Sequence, residues 1–362
     1  PFTEDKTGIL DSSELAEISG KVKGLNVLKL LGYKVPFYVN FRNDDPTWWS
    51  KELIKSYGYG DSTKWAVRSS ANLEDSHNLS FAGIFQTVLD VSTEELDNAA
   101  DTVRNSKNKP KVEAYCAMHG IDPVDLEIEH IIQEFKEPVW SGVWIGNSNG
   151  GTLEWVDGRG EKLVNGSATP YREVYGQEPA LFDEEGRSVS DICREIEARV
   201  GSNLDLEFAM TEDGLQWVQM RPVTVAHGPE MSILRGLDKP FEGYGISGGI
   251  ARGLSYRLVD PNLDTGIDSN DEVVFVGEDA HDDRWMQIHN LAGIITRKGG
   301  ALSHAAIISR EMGIPFVAGI DIDQVPEGIM VEVNGNTGAI NTDLGSRFTL
   351  RALIGRLKHR AS

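Results

Sequence analysis

The chain has 362 residues, enough for about two or three domains, and at 40% hydrophobic and 25% charged it is composed like an ordinary globular protein. A net charge of −21 argues against nucleic acid or an anionic membrane as the main partner, so any phosphate would need a locally basic pocket in an acidic body. Cys116 and Cys193 are too few for a disulfide framework, suit a reducing cytoplasm, and read as buried small hydrophobes. No run approaches the length of a membrane span and no signal-peptide pattern opens the chain, so a cytoplasmic location is expected. Pro1 stands without a preceding Met, which suggests a missing initial piece.

Residues 1–20 are acidic and polar and read as a leader with some helix. Leu25 to Leu31 is helix-like and stops at Gly32. Trp65-Ala66-Val67 reads as a short buried strand, Thr93 to Arg104 as a helix, and Ile128 to Gln133 and Gly142 to Ile145 as strands. Val189 to Val200 has the spacing of an amphipathic helix.

Leu204 to Met210 and Leu215 to Met220 predict a hairpin around Glu212-Asp213-Gly214, with Gly where a positive φ is wanted. That loop pairs Thr211 with Leu215, and outward from it Glu207 with Gln219 and Asp205 with Arg221. Period-two alternation puts these last four on one face and Leu204, Leu206 and Phe208 on the other. Two carboxylates, an amide and a guanidinium on one surface suit Mg²⁺ with phosphates. The alternative is a solvated strand face with a cross-strand ion pair.

Gly228-Pro229 and Lys239-Pro240 break the pattern, and a linker is expected over 226–242. Residues 243–345 are richer in Gly and short strands, with few helices. Ser346 to Arg360 reads as a basic amphipathic helix packed on the second domain. The expected division is 1–225, linker 226–242, 243–345, and a C-terminal helix over 346–362.

Within the second domain, Gly299-Gly300-Ala301-Leu302-Ser303-His304-Ala305-Ala306-Ile307-Ile308 predicts a helix capped by Ser303 and ended by Gly313 and Pro315. His304 then lies in the first turn, where unpaired N–H groups and the positive helix end welcome an anion and bias an imidazole towards its neutral, nucleophilic form. The glycines before it would let a large substrate approach. This geometry suits a histidine that accepts and passes on a phosphoryl group. The plainer alternative is a polar residue at an ordinary helix start.

The longer string Thr296-Arg297-Lys298-Gly299-Gly300, Ser303-His304-Ala305-Ala306 and Arg310-Glu311-Met312-Gly313-Ile314-Pro315 resembles the phosphohistidine signature of the pyruvate phosphate dikinase and phosphoenolpyruvate synthase family. Asp205-Leu206-Glu207-Phe208-Ala209 with Gln219-Met220-Arg221-Pro222-Val223-Thr224 is similar to the end of that family's ATP-grasp nucleotide-binding domain. Val67-Arg68-Ser69-Ser70-Ala71-Asn72-Leu73-Glu74-Asp75 and Ser80-Phe81-Ala82-Gly83-Ile84-Phe85-Gln86-Thr87 match the same domain. The resemblance covers roughly residues 20–225 and 243–345. It implies an α/β (α+β) fold: an ATP-grasp domain followed by a small β/α swivelling domain.

The resemblance also implies roles. Glu207 and Gln219 would hold metal, with Asp205 beside them, and Arg221 would contact phosphate. Arg68 becomes the phosphate-binding arginine, and the segment around Gly83 the mobile phosphate loop. Lys23-Gly24-Leu25-Asn26 makes Lys23 a phosphate contact, with Lys21 as a competitor. Gln133 would stand at the hinge beside adenine, and Glu161 in Gly158-Arg159-Gly160-Glu161 would reach the ribose.

By the family's logic ATP binds with Mg²⁺, its β-phosphoryl group ends on His304, AMP and phosphate leave, and the small domain swings to an acceptor. The chain has no room for the pyruvate-binding barrel or for an inserted antibiotic-binding domain, so a non-pyruvate acceptor is expected. A small-molecule hydroxyl or amide would fit, as in the rifampin phosphotransferase and glutamine kinase relatives. The alternatives are an acceptor site on another polypeptide and a catalytically silent nucleotide-binding regulator. The joint presence of His304, Arg68, Glu207 and Gln219 speaks against the last.

Other signals carry less. Gly243-Tyr244-Gly245-Ile246-Ser247-Gly248 satisfies G-x-G-x-x-G, but no strong strand precedes it and β-like sequence follows. No Walker A sequence is present. His281, Asp282, Asp283 and His289 lack tight ligand spacing and read as a solvated loop. Trp48-Trp49 reads as packing.

Overall fold

The computed structural model describes residues 20–42, 44–71, 83–147, 150–223, 243–257, 271–281, 283–288, 290–301 and 303–342. The expected leader up to residue 19, the linker 226–242 and the C-terminal helix 346–362 lie outside the described residues.

Helix α1 (Gly20–Leu30) comes first. Strands β1 (Tyr38–Phe41), β2 (Lys64–Ala71), β3 (Val88–Ser92) and β4 (Ile128–Phe135) then form an antiparallel sheet in the order β1-β4-β2-β3. Its helices are α2 (Trp49–Ser56), α3 (Leu96–Arg104) and α4 (Pro110–His119). The helix expected from Thr93 begins as a 3₁₀ turn, Thr93–Glu95, because Glu95 folds back on Ser92 before α3 starts.

A second antiparallel sheet holds β5 (Trp140–Asn147), β6 (Gly150–Asp157), β7 (Tyr171–Val174), β8 (Leu204–Thr211) and β9 (Gly214–Pro222), ordered β7-β6-β5-β8-β9. Its helices are the short α5 (Glu161–Val164) and α6 (Val189–Val200), which has the bounds its periodicity predicts. The Ser188 side chain caps α6 at Asp191 N, and Gly201 ends it at φ 77°. Leu28 of α1 joins the buried cluster of this second sheet, so α1 packs there although it precedes the first sheet in the chain.

The third sheet is mixed, ordered β10-β14-β13-β12-β11-β15-β16. Its strands are β10 (Tyr244–Ser247), β11 (Ile250–Tyr256), β12 (Val273–Gly277), β13 (Leu291–Thr296), β14 (Phe316–Ala318), β15 (Met330–Asn334) and β16 (Ala339–Asn341). Parallel neighbours need a crossover, and α7 (His304–Glu311) supplies the one from β13 to β14. That crossover puts the start of α7 beyond the carboxyl end of β13, which is where ligands meet parallel sheets.

Gly243 and Gly245 serve close packing: an added Cβ would lie 2.2 Å from the Ala318 carbonyl oxygen and 2.1 Å from that of Gly335. β10 and β11 follow with no helix, so the G-x-G-x-x-G string is sheet. Trp48 and Trp49 depart from the expected packing. Trp48 is 61% exposed and meets Trp49 edge to face at the start of α2, where the side chains point off the surface. Both cysteines are buried and free, as expected. Among the described residues, no helix is long and apolar enough to cross a membrane.

One buried cluster runs from the first sheet into the third. It joins Trp65, Tyr115 and Cys116 to Ala305, Ala306, Ile308 and Phe316. The third sheet is thus docked on the first, with α7 at the junction.

Candidate nucleotide and phosphoryl-transfer site

A cavity of about 430 Å³ lies between the first two sheets, inside the range of small-molecule sites. Its lining includes Lys21, Arg68, Gly83, Gln133, Glu161, Asp205, Glu207, Gln219, Arg221 and, from α7, His304. The lining also includes the apolar side chains of Ala66, Phe135, Val143, Ile145 and Leu163.

The hairpin pairs Glu207 with Gln219 and Asp205 with Arg221, as the alternation predicts. The turn itself differs. Gly214 has the expected positive φ, but Thr211 pairs with Gly214 and Met210 with Leu215, one residue short of the expected register. A β-bulge between Glu207 and Phe208 restores the outer register by leaving Val218 as the extra residue. The Val218 carbonyl accepts from Arg68 Nη1 at 2.6 Å.

Arg68 and Gln133 share a face of the first sheet, since Arg68 stands opposite Ile131 and Gln133 opposite Ala66. Arg68 Nη1 donates to Gln133 Oε1 at 3.4 Å, while Nη2 donates to Glu207 Oε2 at 2.7 Å and Gln219 Oε1 at 3.0 Å. A cationic nitrogen therefore sits where a carboxylate and an amide oxygen converge. That donor pair fits Mg²⁺, which takes one or two protein oxygens and completes its shell with phosphate and water. Among the described residues, no cluster of three or more His, Cys, Asp or Glu side chains could hold a metal unaided.

Beside it, Arg221 grips Asp205 through Nε and Nη2, at 2.7 and 2.6 Å. Burial pushes the Asp205 carboxyl up against the pull of that guanidinium. Among the described residues, Gln133 Nε2 is buried with no hydrogen-bond partner.

Lys23 is not at the cavity. It is exposed, while Lys21 lines the cavity and donates to the Ser69 carbonyl at 2.6 Å. Two residues on a helix differ by about 200° of rotation, so only one of the two can face inwards. Gly24 decides which: an added Cβ would lie 1.9 Å from the Met220 carbonyl oxygen, so α1 lies flush on β9 at that point. Glu161 opens α5 at the rim, exposed but within the lining.

Ser303 caps α7 by accepting from Ala306 N at 3.3 Å, as its sequence predicts, and its hydroxyl donates to the Gly300 carbonyl at 3.0 Å. His304 is the first residue of the helix and only 6% exposed. Its ring packs on Gly83, where φ is +68° and an added Cβ would come within 3.2 Å of Nδ1. Lys111 Nζ holds the Gly83 carbonyl at 2.8 Å. Residues 72–82, which take in the start of the expected phosphate loop around Gly83, lie outside the described residues.

Sequence reasoning missed several residues here. Lys21 stood second to Lys23 and His281 read as solvated loop, yet both line the cavity, and Arg310 of α7 lies within the field of Glu154, Asp205 and Glu311. Burial draws the Arg310 pKa down to about 10, opposed by Glu154, Asp205 and Glu311. Tyr115 of α4 donates to Glu311 of α7 at 2.8 Å. These pairs join residues distant in sequence, and nothing local marks them.

Two family models match the chain: "Pyruvate phosphate dikinase, AMP/ATP-binding domain" over residues 49–177 and "PEP-utilising enzyme, mobile domain" over residues 269–338. A probable phosphoenolpyruvate synthase of Archaeoglobus fulgidus is 27% identical over 76% of this chain and 43% of its own length. A rifampicin phosphotransferase of a Streptomyces species is 28% identical over 46% of this chain and 24% of its own length. Among solved structures, D-alanyl-alanine synthetase A of Vibrio cholerae overlaps 56% of this chain and 54% of that one, at 10% identity and a TM-score of 0.31. The chain spans less than half the length of the curated relatives it matches. The fold is a mixed α/β one, an ATP-grasp nucleotide-binding domain followed by a mobile domain that carries the histidine helix. With both domains present in the family's order, the chain is a relative of the pyruvate phosphate dikinase and phosphoenolpyruvate synthase family.

Proposed function

We propose that the chain is an ATP-dependent phosphotransferase that works through a phosphohistidine at His304. The reading rests on one arrangement: His304 lines the same cavity as Arg68, Glu207 and Gln219, with its ring against Gly83. ATP and water would become AMP, inorganic phosphate and phospho-His304, the β-phosphoryl group moving to the ring. The histidine splits one difficult transfer into two easier ones.

The apolar walls around Ala66, Val143 and Leu163 would take the base, with Gln133 Nε2 donating to it. Glu161 at the rim would meet the ribose. Lys21, Arg68 and Arg221 would hold the phosphates, Lys21 in place of Lys23. Glu207 and Gln219 would hold Mg²⁺, with Asp205 fixing Arg221 beside them. Bound there, the metal neutralises charge on the phosphates. Asp205 and Glu207 keep the acidic wall in place, while the buried position of His304 keeps bulk water from the ring.

For the onward transfer we propose a small-molecule hydroxyl or amide as acceptor, in line with the similarity to rifampicin phosphotransferase. A second reading has a phosphoenolpyruvate-synthase-like reaction with the acceptor site elsewhere. It is favoured by relatives of that name, which match 76–80% of the chain. In either case the division at 225 and 243, with 226–242 as a hinge, would let the mobile domain travel.

The test is incubation with ATP labelled at the β position and Mg²⁺. Acid-labile, base-stable label should appear on the protein and be absent from His304→Ala. An unlabelled parent protein would overturn the proposal. AMP release with a purified acceptor, and no second protein, separates the first acceptor reading from the second.

A further inference from the structure

Gly300 marks a contact that the histidine helix itself does not reveal. A Cβ there would meet Glu154 Oε2 at 2.7 Å, Pro170 Cγ at 3.0 Å and Glu154 Cδ at 3.4 Å. All three atoms belong to the nucleotide-binding domain. The φ of Gly300 lies outside the left-handed region, so backbone freedom does not explain the glycine. Beside it, Glu154 Oε1 accepts from Ala301 N at 3.2 Å.

Two more glycines face the other domain nearby. At Gly166, in the loop after α5, an added Cβ would meet Ser303 Cβ at 3.2 Å and Oγ at 3.6 Å. At Gly83 the neighbour is His304. Gly166 and Gly83 also have positive φ, +73° and +68°, so the close approach of the other domain adds to a backbone reason for glycine there, whereas at Gly300 the close approach stands alone. Glu154 stands on β6, 1% exposed, with Arg172 Nε 4.0 Å away, and does not line the cavity. A carboxylate so deeply buried is costly unless its neighbours satisfy it, and the mobile domain supplies one of those neighbours.

We infer that Glu154 and Gly300 form the seat that sets the depth of His304 in the nucleotide cavity, with Glu154 a positioning residue for histidine loading. The link is short. The Gly300 carbonyl accepts from both the hydroxyl and the N–H of Ser303, the cap of α7. Shifting residue 300 shifts the cap, and with it the first residue of the helix. The part that concerns loading rests on the function proposed above, while the seat itself is a matter of domain docking.

The experiment uses the full chain. Gly300→Ala should cut the rate of His304 labelling by β-labelled ATP by about tenfold or more, a modest change in barrier, while ATP affinity stays within about twofold. Glu154→Asp, which withdraws the carboxylate by one methylene, should restore part of that loss in the Gly300→Ala background and cost less by itself. Unchanged labelling in Gly300→Ala, or a double variant no faster than the single, overturns the inference. Small-angle scattering reads the seat without phosphotransfer: the radius of gyration should rise in Gly300→Ala, and superimposable curves count against it. A parent protein that takes no label at all defeats the proposed function, and scattering then decides the seat alone.

Discussion

Arg68 on β2 donates to Glu207 on β8 at 2.7 Å, so a single guanidinium ties the two sheets of the nucleotide-binding domain together across the cavity. The same side chain also reaches Gln219 and the Val218 carbonyl that the β-bulge exposes. On the function proposed above, Arg68 would exchange carboxylate for phosphate when a nucleotide enters, and leave Glu207 and Gln219 to a metal ion.

Arg68→Ala should therefore lower the rate of His304 labelling by about 100-fold or more, the scale seen when one charge-stabilising donor is lost. Arg68→Lys should rescue little, because an ammonium cannot span both Glu207 and the Val218 carbonyl. Labelling by β-labelled ATP checks both, and parental rates in the alanine variant would remove Arg68 from the mechanism.

Lys21 and Lys23, in the first turn of α1, separate cleanly. Lys21→Ala should weaken ATP binding about tenfold, the worth of one charge-assisted contact, and Lys23→Ala should leave it unchanged. Titration calorimetry with ATP and Mg²⁺ reads the difference. The opposite ranking would restore Lys23 as the phosphate contact.

Glu207→Gln keeps the shape of the side chain and removes its charge. The Mg²⁺ concentration needed for half-maximal labelling should rise about tenfold at saturating ATP, since hard cations prefer charged oxygen. If the requirement does not move, the metal is held elsewhere.

His130 offers a test of stability against pH. Burial, helped by the nearby Arg104, lowers its pKa from 6.5 to about 3. Its Nδ1 accepts from Arg104 Nε at 3.1 Å, its Nε2 lies 3.0 Å from Ser50 Oγ, and its ring stacks on Phe41. As pH falls through 6.5 the unfolded chain takes up a proton that the folded chain refuses until about pH 3. The stability from this group is full above pH 6.5 and drains away between 6.5 and 3. Urea midpoints measured between pH 7.5 and 5.5 should fall, and fall less in His130→Gln, although that variant is weaker throughout. Equal slopes would show that another group controls the transition.

Much of the arrangement was written locally. Ser303 beside an apolar run caps a helix in any context, and Val189 to Val200 carries both its stripe and its stop. Alternation in two short segments put Glu207, Gln219, Asp205 and Arg221 on one face of the hairpin. Those features depend on backbone geometry within a few residues, and the chain determines them by itself.

Tertiary structure decided the rest. Which lysine of α1 faces the cavity depends on Gly24 meeting Met220, a contact almost two hundred residues long in sequence. Val218 becomes the bulge residue only because the turn closes one position early. Trp48 gave no local sign that it would remain exposed. Gly300 reads as flexibility in the sequence, yet it is small because Glu154 and Pro170 occupy the space a side chain would need. Such contacts are fixed by steric fit between surfaces that lie far apart along the chain, so no periodicity in the sequence encodes them.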